Sequence, residues 1–134
     1  MKVRLKVEGG DNLARKLQML GETVAREHMR ESVLAGAEIV RAEAARLAPV
    51  RTGTLANDIQ KEVVKQTKTR VEVKVGPGKK GWYGRLVEEG HAIVVNGQKV
   101  GDAPPKPFLR PAFDAKLEEA EQAAVDELRR RLGL

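Results

Sequence analysis

The alternation of two periodicities along this chain predicts an α+β protein with a mostly antiparallel sheet. Three observations carry that assignment. Two long stretches, one central and one C-terminal, repeat aliphatic residues every three or four positions, as a helix buried along one face does. Shorter stretches alternate aliphatic with charged residues, the period of a half-buried strand. The strands are grouped around turn residues rather than interleaved with crossover helices, so a doubly wound parallel sheet is excluded.

Taken in order, residues 1–8 open Met1-Lys2-Val3-Arg4-Leu5-Lys6-Val7 and read as a first strand, broken by Gly9-Gly10. Asp11 suits the N-cap of a helix beginning near Asn12, because its carboxylate can accept from the free amides of the first turn. Leu13, Leu17, Leu20 and Val24 share a helical face. Gly21 interrupts it, either as a C-cap before a second helix or as a tolerated glycine within one. From Glu22 to Leu47 the helical pattern is strongest. Met29, Val33, Gly36, Val40, Ala44 and Leu47 form one stripe, with Arg26, Arg30, Glu38, Arg41 and Arg46 largely off it. The density of alanine predicts close approach of a neighbouring element, and Pro49 ends the helix at Ala48.

Residues 59–66 and 70–76 suit a pair of strands joined by the polar turn Gln66-Thr67-Lys68-Thr69. Val71, Val73 and Val75 alternate with Arg70, Glu72 and Lys74, which predicts one buried and one wet face. Gly76-Pro77-Gly78-Lys79-Lys80-Gly81 is a loop by composition, and Trp82 to Glu89 fits a short helix. Asn96-Gly97 between residues 92–95 and 98–100 is a strong hairpin signal. Pro104, Pro105 and Pro107 make residues 101–107 an extended connector. A final helix starts near Phe108, tolerates Pro111 in its first turn and ends at Gly133. Phe113, Leu117, Ala120, Ala124, Leu128 and Leu132 line its buried face, and Arg129, Arg130 and Arg131 sit where its dipole favours cations. The architecture expected is an N-terminal and a long central helix, a mostly antiparallel sheet with hairpins, and a C-terminal amphipathic helix packed on the sheet. The length of 134 residues fits a single domain over 1–134.

The net charge is +6, and it is concentrated. Between residues 61 and 85, Lys61, Lys65, Lys68, Arg70, Lys74, Lys79, Lys80 and Arg85 face only Glu62 and Glu72, so this segment alone accounts for the excess. Such polarity bears on partners rather than fold. A nucleic-acid backbone, an acidic protein surface and another copy of the chain all fit it. So does a solvated strand face whose lysines protect a sheet edge. The only aromatic residues are Trp82, Tyr83, Phe108 and Phe113, few for a protein that stacks bases. No apolar run approaches the ~20 residues that cross a bilayer, and the first residues lack the continuous apolar stretch of a signal peptide. No membrane role is expected.

Candidate chemistry is sparse. Cysteine is absent, which removes thiolate metal sites and a thiol nucleophile. His28 and His91 are the only histidines, and Ser32, the only serine, lacks a nucleophile-elbow context. Glu88 and Glu89 are neighbours that a helix points about 100° apart, so they do not form a facing acid–base pair. The loop at 76–81 matches neither a Walker nor a dinucleotide pattern. Neither enzyme activity nor a metal, cofactor or small-molecule substrate is expected.

Three ordered segments do carry a resemblance. They are Ala48-Pro49-Val50-Arg51-Thr52-Gly53-Thr54-Leu55, then Tyr83-Gly84-Arg85-Leu86-Val87-Glu88-Glu89-Gly90, then Pro105-Lys106-Pro107-Phe108-Leu109-Arg110-Pro111-Ala112-Phe113. With an alanine-rich helix before them and an amphipathic helix after, the chain resembles the gene-product-ten-like family of tailed bacteriophages and prophages, roughly from Gly10 to Leu132. The resemblance implies a neck, head–tail connector or tail-completion protein. Such a protein is made in the bacterial host cytoplasm, resides in the virion neck or tail, and closes with copies of itself into a ring that meets neighbouring neck and tail proteins. Lys61, Lys65, Lys68, Arg70, Lys74, Lys79 and Lys80 are then candidates for a subunit interface or a lumen through which DNA passes. Pro49, Arg51, Gly53, Tyr83, Glu88, Gly90, Pro107, Phe108 and Arg110 are the motif positions, with Arg51 and Glu88 expected to pair as fork and carboxylate. Phe108 and Phe113 are expected to anchor the last helix on the sheet. The first rival reading is a basic nucleic-acid-binding module, and the second is a small hydrolase using Glu88, Glu89 and His91.

Overall fold

The computed structural model describes residues 1–7 and 9–134. In chain order the elements are β1 (Lys2–Lys6), α1 (Asn12–Met19), α2 (Glu22–Leu47), α3 (Thr54–Asn57), β2 (Ile59–Gln66), β3 (Arg70–Pro77), α4 (Gly84–Glu89), β4 (His91–Val95), β5 (Gln98–Ala103) and α5 (Leu109–Arg131). The class is α+β, as the periodicities require. Glu8, the last residue of the expected first strand, lies outside the described residues.

β1, β3 and β2 form an antiparallel sheet in that order, with β3 in the middle. Val3 lies opposite Val73 and Leu5 opposite Val71 on one side of β3, and Val63 lies opposite Val73 on the other. This aliphatic face is covered by the helices. α2 lies over β2 and β3, and α5 reaches the sheet at β1. The largest contact of all is between α2 and α5. The C-terminal helix expected on the sheet therefore leans mainly on another helix, because its stripe of Ala120, Ala124 and Leu128 matches the small-residue stripe of α2. A Cβ on Gly36 would come within 2.4 Å of the Ala120 carbonyl oxygen and 3.1 Å of the Ala124 methyl. Glycine at that point sets how closely the two axes approach.

Local signals explain the ends. The Asp11 carboxylate accepts from the Ala14 amide at 2.8 Å and caps α1. Leu20 and Gly21 are both extended, so the chain breaks into two helices there, with Gly21 heading α2 rather than closing α1 in a left-handed turn. Val24 consequently leaves the face of Leu13 and Leu17 and is exposed. Ala48 is extended ahead of Pro49 and closes α2. Gly53 is left-handed at φ 80° and opens the one-turn helix α3, which the sequence pattern did not announce.

β4 and β5 form a separate two-stranded sheet. Asn96 and Gly97 at its tip are both left-handed, φ 52° and 77°, as a two-residue hairpin turn demands. The extended stretch before the prolines is shorter than expected, since residues 101–103 belong to β5. Every residue from His91 to Val100 is exposed.

Candidate functional site

The three motif segments converge. Pro49, Arg51, Leu55, Tyr83 and Val87 line a groove of about 470 Å³, so the first and second segments form its walls. The second and third segments are tied by Glu88. Its Oε2 accepts from the amides of Phe108 at 2.7 Å and Leu109 at 3.0 Å, and its Oε1 from the amide of Arg110 at 3.1 Å. These are the free donors at the start of α5, and Phe108 has no side-chain oxygen with which to cap them. A carboxylate there also meets the positive end of the helix dipole. No ion pair joins Arg51 to Glu88 among the described residues. The expected fork is replaced by a cap, in which three backbone donors hold the carboxylate at the start of α5. Arg51 is exposed on the groove rim.

The same corner requires Gly90. It has φ 76°, and a Cβ there would lie 2.8 Å from the Ala103 oxygen and 2.9 Å from the Pro105 nitrogen. The Lys106 amide donates to the Val87 carbonyl at 2.8 Å, so the two strands of chain entering and leaving the hairpin are bound at its base. Phe108 is fully buried and Phe113 nearly so, while Pro107 and Arg110 are exposed. Tyr83 is half-buried and meets Trp82 edge-on at 6.0 Å, leaving Trp82 71% exposed. Asp58, which sequence reasoning did not single out, is buried. It accepts from the Gly81 amide at 2.6 Å and from Gln60 Nε2 at 2.8 Å, fixing the 76–81 loop.

The basic segment does not stay together. Lys61 turns under the sheet, where its Nζ donates to the Leu34 carbonyl at 3.3 Å and pairs with Glu38 at 3.1 Å. Lys68, at the β2–β3 turn, folds back to the Leu20 carbonyl at 3.0 Å. Lys79 and Lys80 are exposed on the loop beyond β3. Of this segment's cations, Lys65, Arg70 and Lys74 alone share the outer face of the sheet, away from α2, and Lys74 also lines a groove with Arg85, Glu88 and Glu89 of α4. On that outer face β1 adds three cations that the count over 61–85 missed. Lys2 lies opposite Lys74, Arg4 opposite Glu72 and Lys6 opposite Arg70. The signal was present in the alternation of residues 1–7, but only strand order shows which face they join. Glu72 departs from the expected wet face. It is buried between Arg4 at 2.9 Å and Arg70 at 3.3 Å.

Other ionisable groups are structural. The Arg41 hydrogen bond, with help from Lys61, draws the Glu38 carboxyl down to about 2. Burial first, then Lys74 and Lys2, push the Met1 amine below its ordinary value. His91 is exposed at the start of β4, and the Nδ1 of His28 is buried without a hydrogen-bond partner among the described residues. No group of three or more potential metal ligands gathers among the described residues, and no described helix is long and apolar enough to cross a membrane.

The family model for bacteriophage HK97-gp10 and related tail components matches residues 11–90, more than half of the chain. The match takes in the first two motif segments and stops where the hairpin begins. No curated protein and no solved structure matches the chain.

Proposed function

The chain belongs to the bacteriophage HK97-gp10-like family of tail components, and on that premise we propose that it is a subunit of the head–tail junction, a neck or tail-completion protein whose copies close into a ring. Family membership makes it a structural phage protein of the virion that meets other tail proteins. The ring, its place at the junction and the passage of DNA through it belong to this reading, as does the absence of catalysis.

The observation that carries it is the β4–β5 hairpin. Ile93, Val94, Val95 and Val100 are 40%, 60%, 52% and 64% exposed on an arm that neither sheet nor helix covers. An isolated two-stranded hairpin is marginal in water, and aliphatic residues on both its faces favour burial against a partner. A chain built to act alone gains nothing from such an arm, whereas a subunit does.

The test is replacement of residues 91–103 by a short glycine–serine turn in the phage or prophage genome. Free heads and tails under the electron microscope, with a purified variant that melts like the parent, are the expected result. Complete particles formed without the arm, or without the chain altogether, would end the proposal. Purified parent protein is expected to be monomeric or weakly self-associating at physiological salt, and a closed ring stable at low micromolar concentration in light scattering would contradict that. The nucleic-acid reading rests on the net charge. It predicts duplex binding that weakens steeply with salt.

A further inference from the structure

The molecule has two faces of opposite sign on opposite sides of its two layers. The outer face of the β1–β3–β2 sheet carries Lys2, Arg4, Lys6, Lys65, Arg70 and Lys74 against Glu62 and Glu72. Between Asp114 and Asp126 the solvent side of α5 carries Asp114, Glu118, Glu119, Glu121 and Asp126 against Lys116, which is itself paired with Glu119, while exposed Arg110, Arg129 and Arg130 bound this acidic stretch at the two ends of the helix.

On each face, charges of the same sign sit at neighbour spacing. Lys2 is directly opposite Lys74, an arrangement that costs stability in a sheet, and Glu62, opposite Lys74 on its other side, is the single carboxylate at that level of the face. Asp114 and Glu118 are four apart and Glu118 and Glu121 three apart, which costs stability on a helix. Lys2, Lys65 and Lys74 have no carboxylate partner among the described residues, and neither Asp114, Glu118 nor Glu121 has a cationic one. A facing surface of opposite sign would relieve the repulsion within each face.

We propose that the outer sheet face of one copy docks on the solvent side of α5 of a second copy, a head-to-tail contact between complementary charges. This deepens the ring reading and rests on it. The dimensions agree. Strands of five to eight residues span about 17–26 Å, and residues 114–126 of the helix span about 18 Å. A contact of this kind differs on its two sides, so it propagates and can close cyclically. It is also polar and small, so a single contact is weak and salt-sensitive.

The experiment is sedimentation equilibrium of the full chain at several hundred micromolar, in about 50 mM and about 500 mM salt. The expected result is self-association at low salt that weakens at least about tenfold at high salt. A sheet variant, Lys2→Glu with Lys65→Glu and Lys74→Glu, and a helix variant, Asp114→Lys with Glu118→Lys and Glu121→Lys, should each be monomeric. The chain carrying all six changes should associate again at low salt. All six positions are exposed. Thermal melts confirm folding, and the neutral lysine-to-glutamine version of the sheet variant replaces it if folding suffers.

A monomeric parent at low salt overturns the contact, as does a sheet variant that associates like the parent or a six-fold variant that does not recover. So does salt-dependent capture of a DNA duplex by the sheet face with no self-association, which would assign that face to nucleic acid. The ring reading fails separately, if particles without this chain are complete. If the chain is required but the sheet variant still yields joined particles, only this contact falls.

Discussion

The helical body and the β4–β5 arm are written with equally strong local signals, yet they stand in opposite physical situations. In the body, Val33, Val40, Val71, Val73 and Leu128 are wholly buried, and α2 and α5 approach so closely that one position accepts only glycine. In the arm, turn chemistry and strand pairing are equally well formed, but no side chain from His91 to Val100 is buried. Backbone pairing defines the shape of both, and apolar burial stabilises only the first. The body carries its stability within itself, and on the proposed reading the arm gains its apolar cover from a neighbouring subunit.

That contrast can be broken by substitution, beginning where the effect should be greatest. Gly36→Val drives new methyl groups into the Ala120 carbonyl and should destabilise the body by about 3 kcal/mol despite the better helix propensity of valine. A denaturant midpoint unchanged from the parent would show that the helices separate freely. Glu88→Ala strips the cap from three amides of α5, one of them on fully buried Phe108, and should cost about 2 kcal/mol. Hydrogen exchange should quicken first in the opening turn of α5, and uniform loss elsewhere would contradict the cap.

Smaller effects follow at the edges. Glu38 titrates in the fold near 2, below its ordinary 4.5, so its contribution is complete above pH 4.5 and fades as the pH falls towards 2. Because the group is well exposed, solvent screening should hold that contribution below about 1 kcal/mol. Glu38→Gln should flatten that part of a stability-versus-pH curve, and an unchanged acid limb would remove the pair from the account. Val94→Ser on the arm should alter thermal stability by less than about 0.5 kcal/mol while impairing particle joining. A loss of stability comparable to that of Glu88→Ala would place the arm in the body.

Periodicity made most of the body legible. The stripes of α2 and α5, the cap at Asp11, the stop at Pro49 and the Asn96-Gly97 turn all follow from residues close in sequence. Relations between distant segments were less accessible. Arg51 and Glu88 are a chemically sensible pair, but the amides at 108–110 meet the carboxylate first, and no periodicity encodes that choice. Counting charge along 61–85 located a basic stretch without its geometry. Strand alternation sends Lys61 inward beside Glu38, while strand order brings Lys2, Arg4 and Lys6 outward beside Lys74. Glu72 could not be foreseen as buried, since Arg70 on its own strand covers it only together with Arg4 on another.

The knot of Gly90, the Val87–Lys106 hydrogen bond and the Glu88 cap has a consequence for how such a protein can diversify. The excursion between Gly90 and Pro105 starts and finishes at one clamped point, so its length and tip can be exchanged while the helices beneath remain undisturbed. Related particles with different neighbours could share one scaffold and graft a different finger onto it.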